Sequence, residues 1–457
     1  MKNVQQGAKN LAKMLGWLLV WSVIGYLLLV LAYSLPVGRM KDHLRSEEST
    51  FTDGYYMLVR NDTSTQVDNI TDSIILAEAV YDGPENPWQK AAAAFYASPQ
   101  ENEEHSESYL RIQAAVEDTG PYTQYARYWH GYLIFLKSLL LLLDYRDILR
   151  LNMIVQLFFM LLLAMLLQRR GKPQLLLPLV LMFAALTPAV TGLCLQYVPC
   201  FLILCVTSTV ILYKPEFAQK HSTLLFLSTG MLVAYFDFLT YPLVTLGVPL
   251  VLWLVLQPAE WKQKIVDVIR LGAAWGFGYV AFWAMKWLIG SLVLGRNVLQ
   301  EAADQIAYRV SDKIVWLQID YKTVLQTNLG CFNFRTWQLL LLVLVAVCLL
   351  LAFFRRTVMR VRLLNTLPYM LVAATPFVWY KLTENHSCIH SFFTHRDLAV
   401  TIFATACILV DIDVQSCIDC RTVRCRKLNM INPNFSAPVL IQQIDLHWIM
   451  IADSTCP

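Results

Sequence analysis

The densest run of groups able to move protons is Gln66-Val67-Asp68-Asn69-Ile70-Thr71-Asp72-Ser73-Ile74-Ile75-Leu76-Ala77-Glu78-Ala79. From Thr71 its pattern predicts a helix, with Ile74, Ile75 and Ala79 on one apolar face and Asp68 or Asn69 as the cap. A spacing of four puts Asp68 and Asp72 on one side of the helix start. Two carboxylates this close push the pKa of one upward, which suits a general base. The plain alternative is that aspartates gather at helix starts because they cap amides and complement the dipole.

Three further groups have useful chemistry. Gln124-Tyr125-Ala126-Arg127-Tyr128-Trp129-His130-Gly131-Tyr132 leads into the apolar stretch Leu133 to Leu143, too short to span a bilayer and fit to lie in its interface. Tyr128 and Trp129 are ordinary interfacial aromatics, whereas Arg127 and His130 have the donors to hold a lipid phosphate. Between Glu384 and Asp397 fall His386, His390, His395 and Arg396. An anion clamp needs only such donors; a metal would want ligands at defined spacing, and none is expected. Within apolar stretches, Asp237 and Lys286 are costly and therefore candidates for function. Asp237 is too short to reach the interface and is expected to line a polar cavity, while Lys286 either snorkels or meets the phosphate.

The elements that must position these groups are membrane helices. A mean hydropathy of +0.47, with 57% apolar and 15% charged residues, lies far from soluble domains, where about a quarter of residues are charged. Long continuous apolar runs also exclude a transmembrane barrel. The first span is expected from Leu11 to Leu35, and others near 150 to 168, 173 to 190, 194 to 212, 222 to 239, 241 to 256, 271 to 290, 336 to 354, 363 to 380 and 397 to 412. The fold class is thus an all-α polytopic bundle of about ten transmembrane helices with a large first outer loop containing short helices. Its parts are an N-terminal segment and first span (1–35), an extracytoplasmic loop with an interfacial helix (36–149), a multi-pass bundle (150–412) and a C-terminal tail (413–457).

Basic residues set the orientation. Lys2, Lys9 and Lys13 cluster at the start of the first span; Arg169, Arg170 and Lys172, Lys214 and Lys220, Lys262, Lys264 and Arg270, and Arg355, Arg356, Arg360 and Arg362 fall in alternate gaps. By the positive-inside rule these face the cytoplasm, so the N-terminus is cytoplasmic and the acidic loop is outside a plasma or inner membrane. Of eleven cysteines none lies in that loop, which excludes a secreted disulfide framework. Cys417, Cys420 and Cys425 cluster in the tail but are too few for a zinc site. Glycan-acceptor patterns at Asn61, Asn69 and Asn385 are of a kind frequent by chance.

The order of parts resembles the integral-membrane glycosyltransferases of the GT-C class: anchor helix, long acidic outer loop, interface helix opening on aromatic and histidine residues, then close helix pairs. Trp129-His130-Gly131-Tyr132, Asp147 and Arg150-Leu151-Asn152 are similar in order to the stretch by which the lipid-linked-sugar protein mannosyltransferases and aminoarabinose transferases enter their second span, with Gly131 where those have proline. The likeness covers the first 260 residues as architecture. It implies a sugar donor on a polyprenyl phosphate, a glycan, lipid or protein acceptor in the cell envelope, and a catalytic acid in the first outer loop. Asp68 and Asp72 are the matching positions. Because the class carries that acid close behind the first span, Asp42 and Asp53 are rivals. Arg127, His130, Asp237, Lys286, His386, His390, His395 and Arg396 would meet substrate, with cations of this set on the phosphate. No P-loop or Rossmann glycine motif is present, so no nucleotide cofactor is expected, nor is a nucleic-acid partner. A polysaccharide polymerase or ligase of the O-antigen type and a secondary transporter are the competing readings, the latter expected to show repeats and broken midplane helices.

Overall fold

The computed structural model describes residues 2–99, 104–314, 317–332 and 359–410. The expected span at 336–354, Arg355 and Arg356, and the tail cysteines Cys417, Cys420 and Cys425 lie outside these. By its internal contacts the chain divides into Met1–Ile408, which carries the helical bundle and its polar loop, and Leu409–Pro457.

The protein is a helical membrane protein. Among the described residues five helices are long and apolar enough to cross a bilayer: Lys9–Tyr33, Tyr145–Arg169, Leu195–Tyr213, Trp261–Leu294 and Ser391–Val410. Three expected spans are shorter helices, and local chemistry says why. Leu176–Leu186 stops where Thr187 turns left-handed before Pro188. Ser222–Phe236 stops where Asp237 becomes extended, and Val244–Leu256 begins only after the following turn. Fifteen residues of helix rise about 22 Å, less than the ~30 Å hydrocarbon core. The stretch expected at 363–380 is likewise divided, into Met359–Ala373 and Thr375–Leu382.

In chain order the principal elements are α1 (Lys2–Tyr33), α2 (Gly38–Arg45), α3 (Asn69–Val80), α4 (Pro87–Ala93), α5 (Glu107–Glu117), α6 (Leu133–Leu140), α7 (Tyr145–Arg169), α8 (Leu176–Leu186), α9 (Leu195–Tyr213), α10 (Ser222–Phe236), α11 (Val244–Leu256) and α12 (Trp261–Leu294). The segment between α1 and α7 folds into short helices, α3, α4 and α5 of them capped by side chains, and two antiparallel ribbons. In one ribbon Tyr55, Tyr56 and Met57 pair with Asp68, Val67 and Gln66; in the other Phe95, Tyr96 and Ala97 pair with Gln124, Thr123 and Tyr122. Of the two caps the sequence offers, Asp68 and not Asn69 caps α3, through the Thr71 amide. Asn86 and Gln89 form a capping box around Pro87 at the start of α4, and Ser106 caps α5. Of the apolar face expected on α3, Ile75 and Ala79 are buried; so are Leu76, Ala77 and Val80, because α2, α5, α6 and the second ribbon enclose the helix. Asn69 is buried too and gives its amide to the Thr50 and Asp53 carbonyls, which removes it as a glycan acceptor.

The tightest helix pair is α10 against α12. A Cβ on Gly230 would lie 2.0 Å from the Trp275 carbonyl oxygen, and one on Gly278 would lie 2.2 Å from that of Leu227. These are backbone contacts that no rotamer change relieves, so glycine sets the helix separation. Gly131 has a different constraint. Its N–H donates to the Tyr235 carbonyl at 2.8 Å, a bond that a proline at this position could not make.

Candidate functional site

Helix α3 is the spine of the polar region. At its start, Asp68 accepts from the Thr71 amide at 2.9 Å, the Thr71 hydroxyl at 2.8 Å and the Gln196 side-chain amide at 2.6 Å. Asp72 accepts from the Leu195 amide and the Tyr145 hydroxyl, both at 2.8 Å, and from the Gln196 amide at 3.3 Å. The pair therefore binds the loop to the amino-terminal end of α9, where free amides attract a negative charge. Burial pushes both carboxyls up against the pull of these donors, Asp72 to about 7. A carboxyl at that value can exchange a proton near neutral pH, though its oxygens are already engaged. The rivals Asp42 and Asp53 are exposed, Asp42 paired with Arg45.

At the far end of α3 the structure adds a carboxylate that sequence reasoning did not choose. Glu78 is fully buried. Its Oε2 lies 2.9 Å from His130 Nδ1 and accepts the Tyr132 hydroxyl, while its Oε1 has no hydrogen-bond partner among the described residues. His130 Nε2 meets the Tyr125 carbonyl at 2.8 Å. His130 has φ +58°, a left-handed conformation costly for a residue with a Cβ. The available signal was the position of Glu78 itself, a lone acid among Ile74, Ile75, Leu76, Ala77, Ala79 and Val80.

The other candidates divide between the two ends of α3. Near Glu78, Lys286 donates to the Ala91 and Ala92 carbonyls at 2.9 and 2.8 Å, neutralising the end of α4 rather than snorkelling. Arg127 stacks on Tyr125 at 4.4 Å and lies 3.7 Å from Glu301, its side chain 25% exposed. Beside the aspartate pair, Arg396 is wholly buried and reaches three backbone carbonyls: Leu186 at 3.0 Å, Phe392 at 2.9 Å and Ser64 at 3.1 Å. Its guanidinium stacks on Tyr197 at 4.6 Å, directly after Gln196. Among the described residues it has no ion-pair partner. His386 Nε2 meets the Leu239 carbonyl at 2.7 Å, and His390 Nε2 accepts from Arg309 at 2.9 Å. His395 Nδ1 donates to the Ser391 carbonyl at 2.9 Å. Asp237 accepts the Thr240 amide at 2.8 Å and, with Asp397 on the Leu243 amide, shapes the turn between α10 and α11. Among the described residues no group of three or more His, Cys, Asp or Glu side chains could hold a metal.

Between the two carboxylate stations lies an apolar groove of about 550 Å³ formed by α6, α7, α9 and α10. Ile75, Tyr132, Leu195, Val198 and Asn152 are among its lining residues. Ile75 is three residues from both Asp72 and Glu78, so all three project from one side of α3. Leu195 gives its amide to Asp72 and Tyr132 gives its hydroxyl to Glu78. A second groove of about 300 Å³ runs between α1, α6, α10 and α12, past Trp17, Trp21 and Gly25. The stacked rings of Phe135 and Phe236, 5.8 Å apart, line both.

Comparison of the chain with models of known protein families, with curated proteins and with solved structures finds no match.

Proposed function

We propose that this chain is a membrane glycosyltransferase of the GT-C kind, moving a sugar from a polyprenyl-phosphate carrier to a cell-envelope acceptor on the extracytoplasmic side. About ten spans, a cytoplasmic N-terminus and an outward-facing α3 region belong to the same proposal. The observation that carries it is the larger groove, an apolar trough whose head is formed by residues hydrogen-bonded to two buried carboxylates. A prenyl chain entering from lipid gains little hydrophobic energy, because bilayer tails are as apolar as the groove. Selection must then come from the head, where polar groups are concentrated. The carrier's phosphate would be met by Arg127, whose guanidinium is partly exposed and only loosely paired, with the Asn152 amide available in the groove wall. A carboxylate at the groove head takes the acceptor's proton, and Asp68 and Asp72 are the candidates from sequence.

The test is release of polyprenyl phosphate from polyprenyl-phosphate sugars by protein in nanodiscs, comparing the parent with Val198→Trp, which fills the groove. The parent should turn over and co-purify with prenyl lipid, and the variant should lose both. Absence of turnover together with ion-coupled uptake in proteoliposomes would replace the transferase by a transporter. Parental rates in both Asp68→Asn and Asp72→Asn would remove that pair as the base.

A further inference from the structure

We propose that Tyr132, Glu78 and His130 form the proton relay of this reaction, with Tyr132 meeting the acceptor hydroxyl and Glu78 receiving the proton through it. The proposal rests on the transferase reading and deepens it.

Four observations converge. None of Asp68, Asp72 and Glu78 lines the groove, but Tyr132 does and brings a hydroxyl bonded to Glu78, whereas Leu195, the lining partner of Asp72, brings only a backbone amide. The Tyr132 hydroxyl is bonded to Glu78 and lies 2.8 Å from His130 Nδ1. His130 Nε2 faces a carbonyl and carries a hydrogen there, which leaves Nδ1 against both the Tyr132 hydroxyl and Glu78 Oε2, at 2.8 and 2.9 Å. Glu78 is 0% exposed and holds an unpartnered oxygen. A buried acceptor left unpaired is costly and calls for a reason. The aspartate pair, by contrast, is engaged with backbone amides at two helix starts.

In the transfer step the acceptor's proton passes to the Tyr132 oxygen as the Tyr132 proton passes to Glu78 Oε2. The freed electron pair of the acceptor oxygen forms the bond to the anomeric carbon. The bond from that carbon to the carrier's phosphate oxygen breaks, and polyprenyl phosphate leaves with its electrons. Tyr132 is the catalytic residue; Glu78 holds the proton and, with His130, positions the hydroxyl.

The experiment is steady-state transfer from a panel of radiolabelled polyprenyl-phosphate sugars in nanodiscs, with melting temperatures measured in parallel. Glu78→Gln and Tyr132→Phe should each lower kcat by about 100-fold or more with KM for the donor unchanged, and Glu78→Asp should recover part of the loss. Parental kcat in Glu78→Gln overturns the relay, as does a joint loss of kcat, KM and melting temperature that aspartate does not recover. A fall in Asp72→Asn with none in Glu78→Gln assigns the base to Asp72 instead. A parent inactive on the whole panel refutes the transferase reading, and the relay with it.

Discussion

Asp72→Asn should reverse its effect on stability between acid and alkaline pH. The native carboxyl is raised from 3.8 to about 7, first by burial, with the Leu195 amide and Tyr145 hydroxyl opposing and Asp68 adding to the rise. Between those values the folded protein holds a proton that the unfolded chain has released, so stability falls as pH rises. The contribution is fully present below about 4 and is lost progressively up to about 7. Each unit is worth about 1.4 kcal/mol, so the window amounts to about 4 kcal/mol for a group with no solvent contact. Asparagine cannot titrate. Its oxygen, in the place of Oδ2, can still accept both the Leu195 amide and the Tyr145 hydroxyl, while its NH2 faces the Gln196 amide that Oδ1 accepted and loses that bond. The variant should therefore melt below the parent at pH 5 and at or above it at pH 8, in thermal melts of detergent-solubilised protein. Some slope will persist in the variant from Asp68, which burial also raises. Parallel decline of parent and variant from pH 5 to pH 8 would refute the assignment of a buried, protonatable Asp72.

Packing and orientation give two more expected outcomes. Gly278→Ala should destabilise by about 1–3 kcal/mol or more, because its Cβ meets the Leu227 carbonyl of α10; Gly272→Ala, with open space around it, should be neutral or gain up to about 1 kcal/mol, and equal melting temperatures for the pair would contradict the close approach of α10 and α12. Glu117→Cys places a thiol on the exposed end of α5, and the native cysteines among the described residues are buried or half-buried, so an impermeant maleimide should label it on intact cells. Labelling only after permeabilisation would place the acidic segment inside and remove the proposed outward site.

Some of this was fixed along the chain. Composition and run length determine a helical membrane protein, because no soluble core tolerates so few charges over so many apolar residues. The cap at Asp68 and the helix after it are equally local, since a carboxylate three residues before a free amide satisfies it whatever the surroundings. Tertiary structure decided the rest. Thr187 and Asp237 end their helices inside apolar runs that hydropathy reads as continuous, since a window average does not register backbone dihedrals. The uses of Lys286 and Arg396 were likewise out of reach, as their partners are backbone carbonyls, all but that of Phe392 far away in sequence, and a carbonyl has no residue type to read. Glu78 shows the same limit most sharply: its place three residues from Ile75 is written in the sequence, but only packing brings His130 and Tyr132 onto it and sets a groove beside them.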